Sequence, residues 1–192
     1  ALGFIQTYLS KANTPFVLTR EPGGTPLAEE IRQVLLHPQA DEKMYPLTEL
    51  LLMFASRAQL INTVIKPALA IGSWVVSDRY VDASYAYQGG GRAVPVDQIR
   101  MLDQLVVQDI YPDLTLLMDL PVAVGMSRTG LRGGEKDRIE NEKIDFFERV
   151  RAAYLQRAAN DPTRIKIIDA SQSLIAVQEQ IAMALNELMV KE

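Results

Sequence analysis

Short apolar segments alternating with amphipathic helices place this chain in the α/β class, as a doubly wound parallel sheet with helices on both faces. Three observations predict it. PFVLT (Pro15–Thr19), SWVVS (Ser73–Ser77), LTLLM (Leu114–Met118) and the run Ile165–Ile168 lack the polar–apolar alternation of a half-exposed strand. Stretches of helical period separate them. No repeat, linker or low-complexity segment divides the 192 residues, so they read as one domain.

Taken in order, ALGFIQTYLSKA opens the chain with Phe4, Ile5, Tyr8 and Leu9 at helical spacing, yet no capping residue precedes it. The chain therefore looks as though it starts inside a helix. After PFVLT, LAEEIRQVLLH presents Leu27, Ile31, Val34 and Leu35 as one helical face, with His37 exposed at its exit. A long helix follows, carrying Leu47, Leu50, Leu51, Phe54, Ala58, Ile61 and Ile65, disturbed at Pro67 and stopped at Gly72. QGGGR (Gln88–Arg92) is too rich in glycine for regular structure and reads as a mobile loop with Arg92 exposed. Helices are expected over 97–110, from Val122 to Arg128, and over 143–159. Ser173 caps a last helix with Leu174, Val177, Ile181, Leu185 and Leu188 inward.

Composition excludes several classes. With 48% hydrophobic and 23% charged residues the chain can bury a core, and its net charge of −4 gives no bulk attraction to nucleic acid or an acidic membrane. It has no cysteine and one histidine, so there is no disulfide framework, cysteine nucleophile or multi-histidine metal site. No apolar run approaches the roughly 18 residues of a membrane span, and no signal peptide is visible, so a cytoplasmic enzyme is expected.

In parallel sheets, ligands bind beyond the carboxyl ends of the strands. TREPGGT (Thr19–Thr25) follows the first strand there. Gly23 and Gly24 let backbone approach a ligand, Arg20 can fork onto a phosphate, and Glu21 can orient an arginine or a hydroxyl. A helix entry stiffened by Pro22 and capped by Thr25 explains the same residues equally well. SDRY (Ser77–Tyr80) ends the second strand with Asp78, a carboxylate able to hold Mg²⁺, and Arg79, able to clamp a phosphate; a plain surface ion pair is the alternative. Ser84 and Gln88 share a helical face, as do Met53, Phe54 and Arg57, and either group suits a base or an ordinary helix surface. In SRTGLRGGEKDRIENE (Ser127–Glu142), Arg128, Arg132, Lys136 and Arg138 alternate with glycines, as in a lid closing on a polyphosphate, a solvated basic loop being the alternative.

Together these stretches, with LLLMFASRAQ (Leu50–Gln59), SDRYVDASYAYQGGGR (Ser77–Arg92), PDLTLLMDLP (Pro112–Pro121) and IIDASQS (Ile167–Ser173), resemble the bacterial thymidylate kinase family of P-loop nucleoside monophosphate kinases. The resemblance implies a single nucleotide-kinase domain over 1–192 with a lid at about 126–142, transferring a phosphoryl group from ATP to dTMP. By that likeness Arg57, Arg79 and Arg20 hold the dTMP phosphate, with Arg32 and Glu21 in the same pocket. Phe54 stacks on thymine, Ser84 and Gln88 face its polar edge, and Tyr80 and Tyr85 wall the deoxyribose. Asp78 is the Mg²⁺-associated aspartate and Glu140 lies near the metal. Lid arginines Arg132 and Arg138 contact the ATP phosphates, Arg128 lies nearer adenine, and Ala170, Ser171 and Gln172 line the adenine pocket. Arg79, Arg132, Arg138 and Asp78 are thus the expected catalytic set, and a homodimer is the expected assembly.

Two departures stand out. Phe54 lies three positions before Arg57, where many relatives have an aromatic four before; Met53 holds that slot. The 192 residues also contain no G-x-x-x-x-G-K-[ST]. Its strand and loop would occupy roughly 15 or more residues upstream of Ala1. The alternatives are another nucleoside or nucleotide kinase of this fold, or a non-catalytic nucleotide-binding module.

Overall fold

In the computed structural model, which describes residues 1–37, 42–130 and 137–190, the four expected strands all form. They are β1 (Phe16–Arg20), β2 (Trp74–Asp78), β3 (Thr115–Asp119) and β4 (Ile165–Asp169). Helices α1 (Leu2–Lys11), α2 (Pro26–Leu36), α3 (Pro46–Leu60), α4 (Lys66–Ala70) and α5 (Val81–Ser84) intervene in the first half. Helices α6 (Val96–Val106), α7 (Val122–Gly130), α8 (Ile144–Asn160) and α9 (Leu174–Met189) follow.

All pairing is parallel: β1 with β2, Phe16 opposite Trp74, and β3 with β4, Thr115 opposite Ile165. The strands make two pairs rather than one ladder. Between β2 and β3 lies a cleft of about 820 Å³, lined by Val75 and Val76 on one side and Leu116 and Leu117 on the other. Helices cover the pairs. Ile5 and Leu9 of α1 and Ile181 and Leu185 of α9 bury a core against Phe16, Trp74, Leu116 and Met118. A second core gathers Leu50, Phe54 and Leu60 of α3 with Val81 and Ile99. No helix among the described residues is long and apolar enough to cross a membrane.

Two helical faces match the sequence expectation in part. On α2 the buried residues are Ala28, Leu35 and Leu36, while Leu27 and Val34 are half exposed; on α9 Leu174 is exposed. Each sits at or near the start of its helix or on the flank away from the core. The long helix does not break at Pro67. Ile61–Ile65 widens into a π turn before α4, and such a turn accommodates a residue lacking an N–H. Gly72, at φ +73°, closes the segment.

The largest correction concerns QGGGR. Tyr85–Gly91 is a π-helical segment continuing α5, not a loop. A Cβ at Gly90 would stand 2.6 Å from the Ala153 Cβ and 2.9 Å from the Arg149 carbonyl oxygen, so the glycines let α8 approach closely. Arg92 is not exposed. It is largely buried, 4.6 Å over the Phe146 ring, and ion-paired to Glu49 and Glu142.

Candidate active site

β1 and β2 are adjacent and parallel, so their carboxyl ends deliver TREPGG and SDRY side by side. The Glu21 amide donates to the Asp78 carbonyl at 3.0 Å, stitching the two turns together. Gly23 and Gly24 have φ +130° and +87°, and the bond before Pro22 is cis. The Gly23 amide donates to Ser56 Oγ at 3.1 Å and the Gly24 amide to Glu29 Oε1 at 2.8 Å. Thr25 caps α2, its Oγ1 accepting from the Ala28 amide at 3.2 Å. A Cβ at Gly24 would overlap Thr19 Oγ1 and approach Leu60 Cδ1 to 2.8 Å. Gly24→Ala is therefore expected to cost about 1–3 kcal/mol from strain and overpacking together; a urea midpoint matching wild type would contradict this.

Beneath the turn lies a buried ion pair. Arg57 is 0% exposed and Glu21 2%. Arg57 donates from Nε and Nη2 to the Glu21 carboxylate at 2.6–3.0 Å, and from Nη1 to Ser84 Oγ at 3.0 Å. Its guanidinium stands 4.6 Å from the Phe54 ring centroid and 5.6 Å from that of Tyr80. Burial pushes the Glu21 carboxyl above its usual range, against the opposing pull of the Arg57 charge and hydrogen bonds. Phe54 is buried in the core beneath Arg57, and Met53 is buried beside it. Tyr80 donates to the Ile110 carbonyl at 3.0 Å, and burial raises its phenol pKa.

Above that pair, three further guanidinium groups converge from three elements. Arg20, at the end of β1, is exposed and holds Glu29 at 2.9 Å. Arg32 of α2 donates to the Pro22 carbonyl at 2.9 Å. Burial, the charge of Arg20 and that of Arg79 pull the Arg32 pKa below its ordinary value, with Glu29 and Asp137 offsetting part. Arg79 stands 5.3 Å from the Tyr87 ring centroid. It adopts φ +69°, a conformation that costs a non-glycine residue energy and clusters at ligand sites. Its carbonyl is held by the Ser77 hydroxyl at 2.6 Å.

Each remaining expected residue has its own setting. Tyr85 is directed at α6: its hydroxyl donates to Asp103 Oδ2 at 2.7 Å, and Arg157 covers its ring at 3.9 Å. Tyr87, absent from the sequence expectation, is the tyrosine beside Arg79. Gln88 donates from Nε2 to Glu49 Oε1 at 2.8 Å. Arg138 pairs with Glu49 at 2.7 Å and donates to the Leu35 carbonyl at 2.9 Å, pinning its own segment to α2 and α3. Glu140 accepts from the Asp137 amide at 3.2 Å, and Asp78 is exposed at the end of β2. Arg132 lies outside the described residues. Arg128 donates to the Ala170 carbonyl at 3.0 Å, bringing α7 to the turn after β4. There Ser171 and Gln172 donate to Asp169, whose carboxyl they hold below its usual range. Among the described residues no three His, Cys, Asp or Glu side chains cluster as a metal site.

The sequence expectation also missed three buried carboxylates, Asp103 and two that gather arginines. Glu49 receives Gln88, Arg92 and Arg138; Asp82 receives Arg157 and Arg164 at 2.6–2.7 Å. Glu49 had a signal: it lies four before Met53 and eight before Arg57, on the face that faces inward.

Parallel strands ending in a gathered set of guanidinium groups, with a second anchoring turn after the last strand, define a nucleotide-binding α/β protein of the monophosphate kinase class. The family model "Thymidylate kinase" matches residues 2–181. Similar proteins include the thymidylate kinase of Vesicomyosocius okutanii, 54% identical over 97% of this chain and 90% of its own length. That of Chromohalobacter salexigens is 52% identical over 97% and 88%. Among solved structures, thymidylate kinase from Ehrlichia chaffeensis superposes with a TM-score of 0.73 at 31% identity, covering 96% of this chain and 88% of that one. The chain belongs to the thymidylate kinase family.

Proposed function

We propose that the carboxyl ends of β1 and β2 hold the monophosphate of dTMP for phosphorylation by ATP, giving dTDP and ADP. The observation carrying this is the gathering of three cations from separate elements, with Arg32 within Coulombic reach of both Arg20 and Arg79. Their mutual repulsion is costly unless an anion joins them, and a phosphate dianion accepts from several guanidinium forks at once.

In the reaction an oxygen of the dTMP phosphate bonds to the γ-phosphorus of ATP as the bond to the β–γ bridging oxygen breaks, leaving ADP. The attacking oxygen is already anionic, so the work is positioning and charge neutralisation. Arg79, on a strained and braced strand end, is placed to do both. Arg57 is fixed by Glu21 and Ser84 so that its plane is set before substrate arrives. Ser84 and Gln88 read the base, with Met53 and Phe54 beneath Arg57 as the apolar floor. Arg128 and the turn Ala170–Gln172 receive the adenine end, while Arg138, held by Glu49 and the Leu35 carbonyl, anchors the stretch that leads to Arg132, the residue we assign to the ATP phosphates. Mg²⁺ keeps most of its waters and takes one or two protein carboxylates; the exposed Asp78 beside Arg79 offers such an oxygen, so the donor set fits, with Glu140 as the second candidate. When bound, the ion offsets charge on the ATP phosphates.

Exposed Leu47 and Leu51 on α3, with Met101 and Leu105 on α6, support a homodimer through these two helices. A coupled ADP-release assay on the full-length protein tests the reading. dTMP should be the best acceptor among dTMP, dUMP, dCMP and dGMP, and equal rates would refute the assignment.

A further inference from the structure

Gln88 is 1% exposed, yet its Oε1 has no hydrogen-bond partner among the described residues. An orphaned buried carbonyl oxygen in a native site calls for a donor that arrives from outside. Which end of the carboxamide is orphaned follows from Glu49. This carboxylate is 1% exposed and is surrounded by Gln88 Nε2 at 2.8 Å, Arg92 Nε at 3.1 Å and Arg138 Nη2 at 2.7 Å. Burial opposes its ionisation, but the Gln88 hydrogen bond and the two arginines outweigh burial and hold its pKa below the usual range. An ionised carboxylate only accepts. The Gln88 NH₂ must therefore face Glu49, and the amide cannot flip without setting two oxygens against each other.

The position matters as much as the polarity. Along α3, Glu49 and Arg57 lie eight residues apart on one face, about 12 Å at the helical rise, with Met53 between them. The segment 84–88 answers each in turn: Ser84 meets Arg57 and Gln88 meets Glu49. The orphaned oxygen thus sits one helical turn along from the Arg57–Ser84 contact.

We propose that Glu49 is a positioning residue for base selection: it locks the Gln88 carboxamide with its oxygen toward the substrate, so that the site demands a ring N–H and turns away a ring nitrogen lone pair. This rests on the dTMP reading above and deepens it. Thymine and uracil carry a hydrogen on N3; cytosine presents a lone pair there, which would oppose Gln88 Oε1. The lock discriminates the imide from the amidine edge and is indifferent to the 5-methyl group.

Glu49→Gln tests it. A glutamine at 49 can donate as well as accept, so the Gln88 amide is free to turn over. Dissociation constants of dTMP, dUMP and dCMP, measured by calorimetry on the full-length protein, give two ratios. The dTMP-to-dCMP preference should fall about tenfold or more, the factor one buried hydrogen bond supplies, while the dTMP-to-dUMP ratio stays unchanged. Any effect through Arg92, Arg138 or general loosening is common to all three ligands and cancels. Gln88→Met, which removes the amide but leaves Glu49 its two arginines, should lose the same preference and serves if the first variant does not fold. Preserved dTMP-to-dCMP preference in folded Glu49→Gln overturns the role of Glu49 alone; preserved preference in Gln88→Met overturns the Gln88 contact on which that role depends. A wild-type protein that binds dCMP as well as dTMP overturns the dTMP reading, and this inference with it.

Discussion

Replacing Arg57 by methionine is expected to lower stability by about 3–5 kcal/mol, the cost of stranding one partner of a buried ion pair. The arginine fills a fully buried position, makes three contacts to Glu21 and one to Ser84, and lies over Phe54. Methionine replaces the volume and none of the donors. For a domain of this size the melting temperature should fall by roughly 6–20 °C. The deficit should also depend on pH, and its sign is fixed by Glu21. Burial already raises that carboxyl in the native protein, and Arg57 is what opposes the rise. Without Arg57 the folded pKa climbs further. A group whose folded pKa lies above its unfolded value favours folding fully only below the unfolded pKa, about 4.3 for glutamate, and this contribution is lost as pH rises through the folded pKa. The variant should therefore lie closer to wild type at pH 5 than at pH 8. Calorimetric scans at the two pH values check both points. A melting temperature within about 2 °C of wild type, or a gap that does not widen with pH, would show that the pair is not the keystone described here.

The same ion pair shows what the sequence could and could not reveal. Glu21 and Arg57 were each legible as site residues, because a carboxylate in TREPGG and an arginine on an apolar helical face break the surrounding pattern. Their pairing was not, since 36 residues separate them. The strands were legible to within a residue or two, because continuous apolar runs between helices leave few options. Glycine misled. In QGGGR it reads locally as backbone freedom, yet its use at Gly90 and Gly91 is to let α8 approach, with Ala153 and Phe146 in the space a side chain would need. That contact is tertiary and has no local signature. Tyr85 and Tyr87 show the limit most sharply. The two are indistinguishable by composition, and only the widened helical turn decides that Tyr87 meets Arg79 while Tyr85 reaches Asp103. Glu49 and Asp82 were overlooked for a related reason: an acidic residue on a helix is ordinarily solvated, and what buries these two is arginines arriving from distant segments.

Arg79→Ala should produce the opposite profile to Arg57→Met: a large kinetic loss with the fold untouched. Arg79 is exposed and stands 5.3 Å from the Tyr87 ring centroid, with Tyr154, Asp78 and Asp137 acting on it through charge; Asp78 is itself exposed, so water can replace the guanidinium there. Alanine must adopt the same φ of +69°, so the local strain is common to both proteins and cancels. The melting temperature should move by no more than about 2 °C, as for a surface substitution. The kinetic effect is set by what the guanidinium does. It holds the acceptor phosphate in line and neutralises charge that spreads over the transferring group, contributions worth about 10²–10³ in rate when one such donor is removed. We therefore expect kcat/KM for dTMP to fall by that factor, with KM rising and kcat falling together, because both ground-state and transition-state contacts are lost. Arg79→Lys keeps the charge but not the planar fork and should fall between the two, recovering more of KM than of kcat. Kinetics equal to wild type in the alanine variant, or a loss that merely tracks a lowered folded fraction, would remove Arg79 from the site.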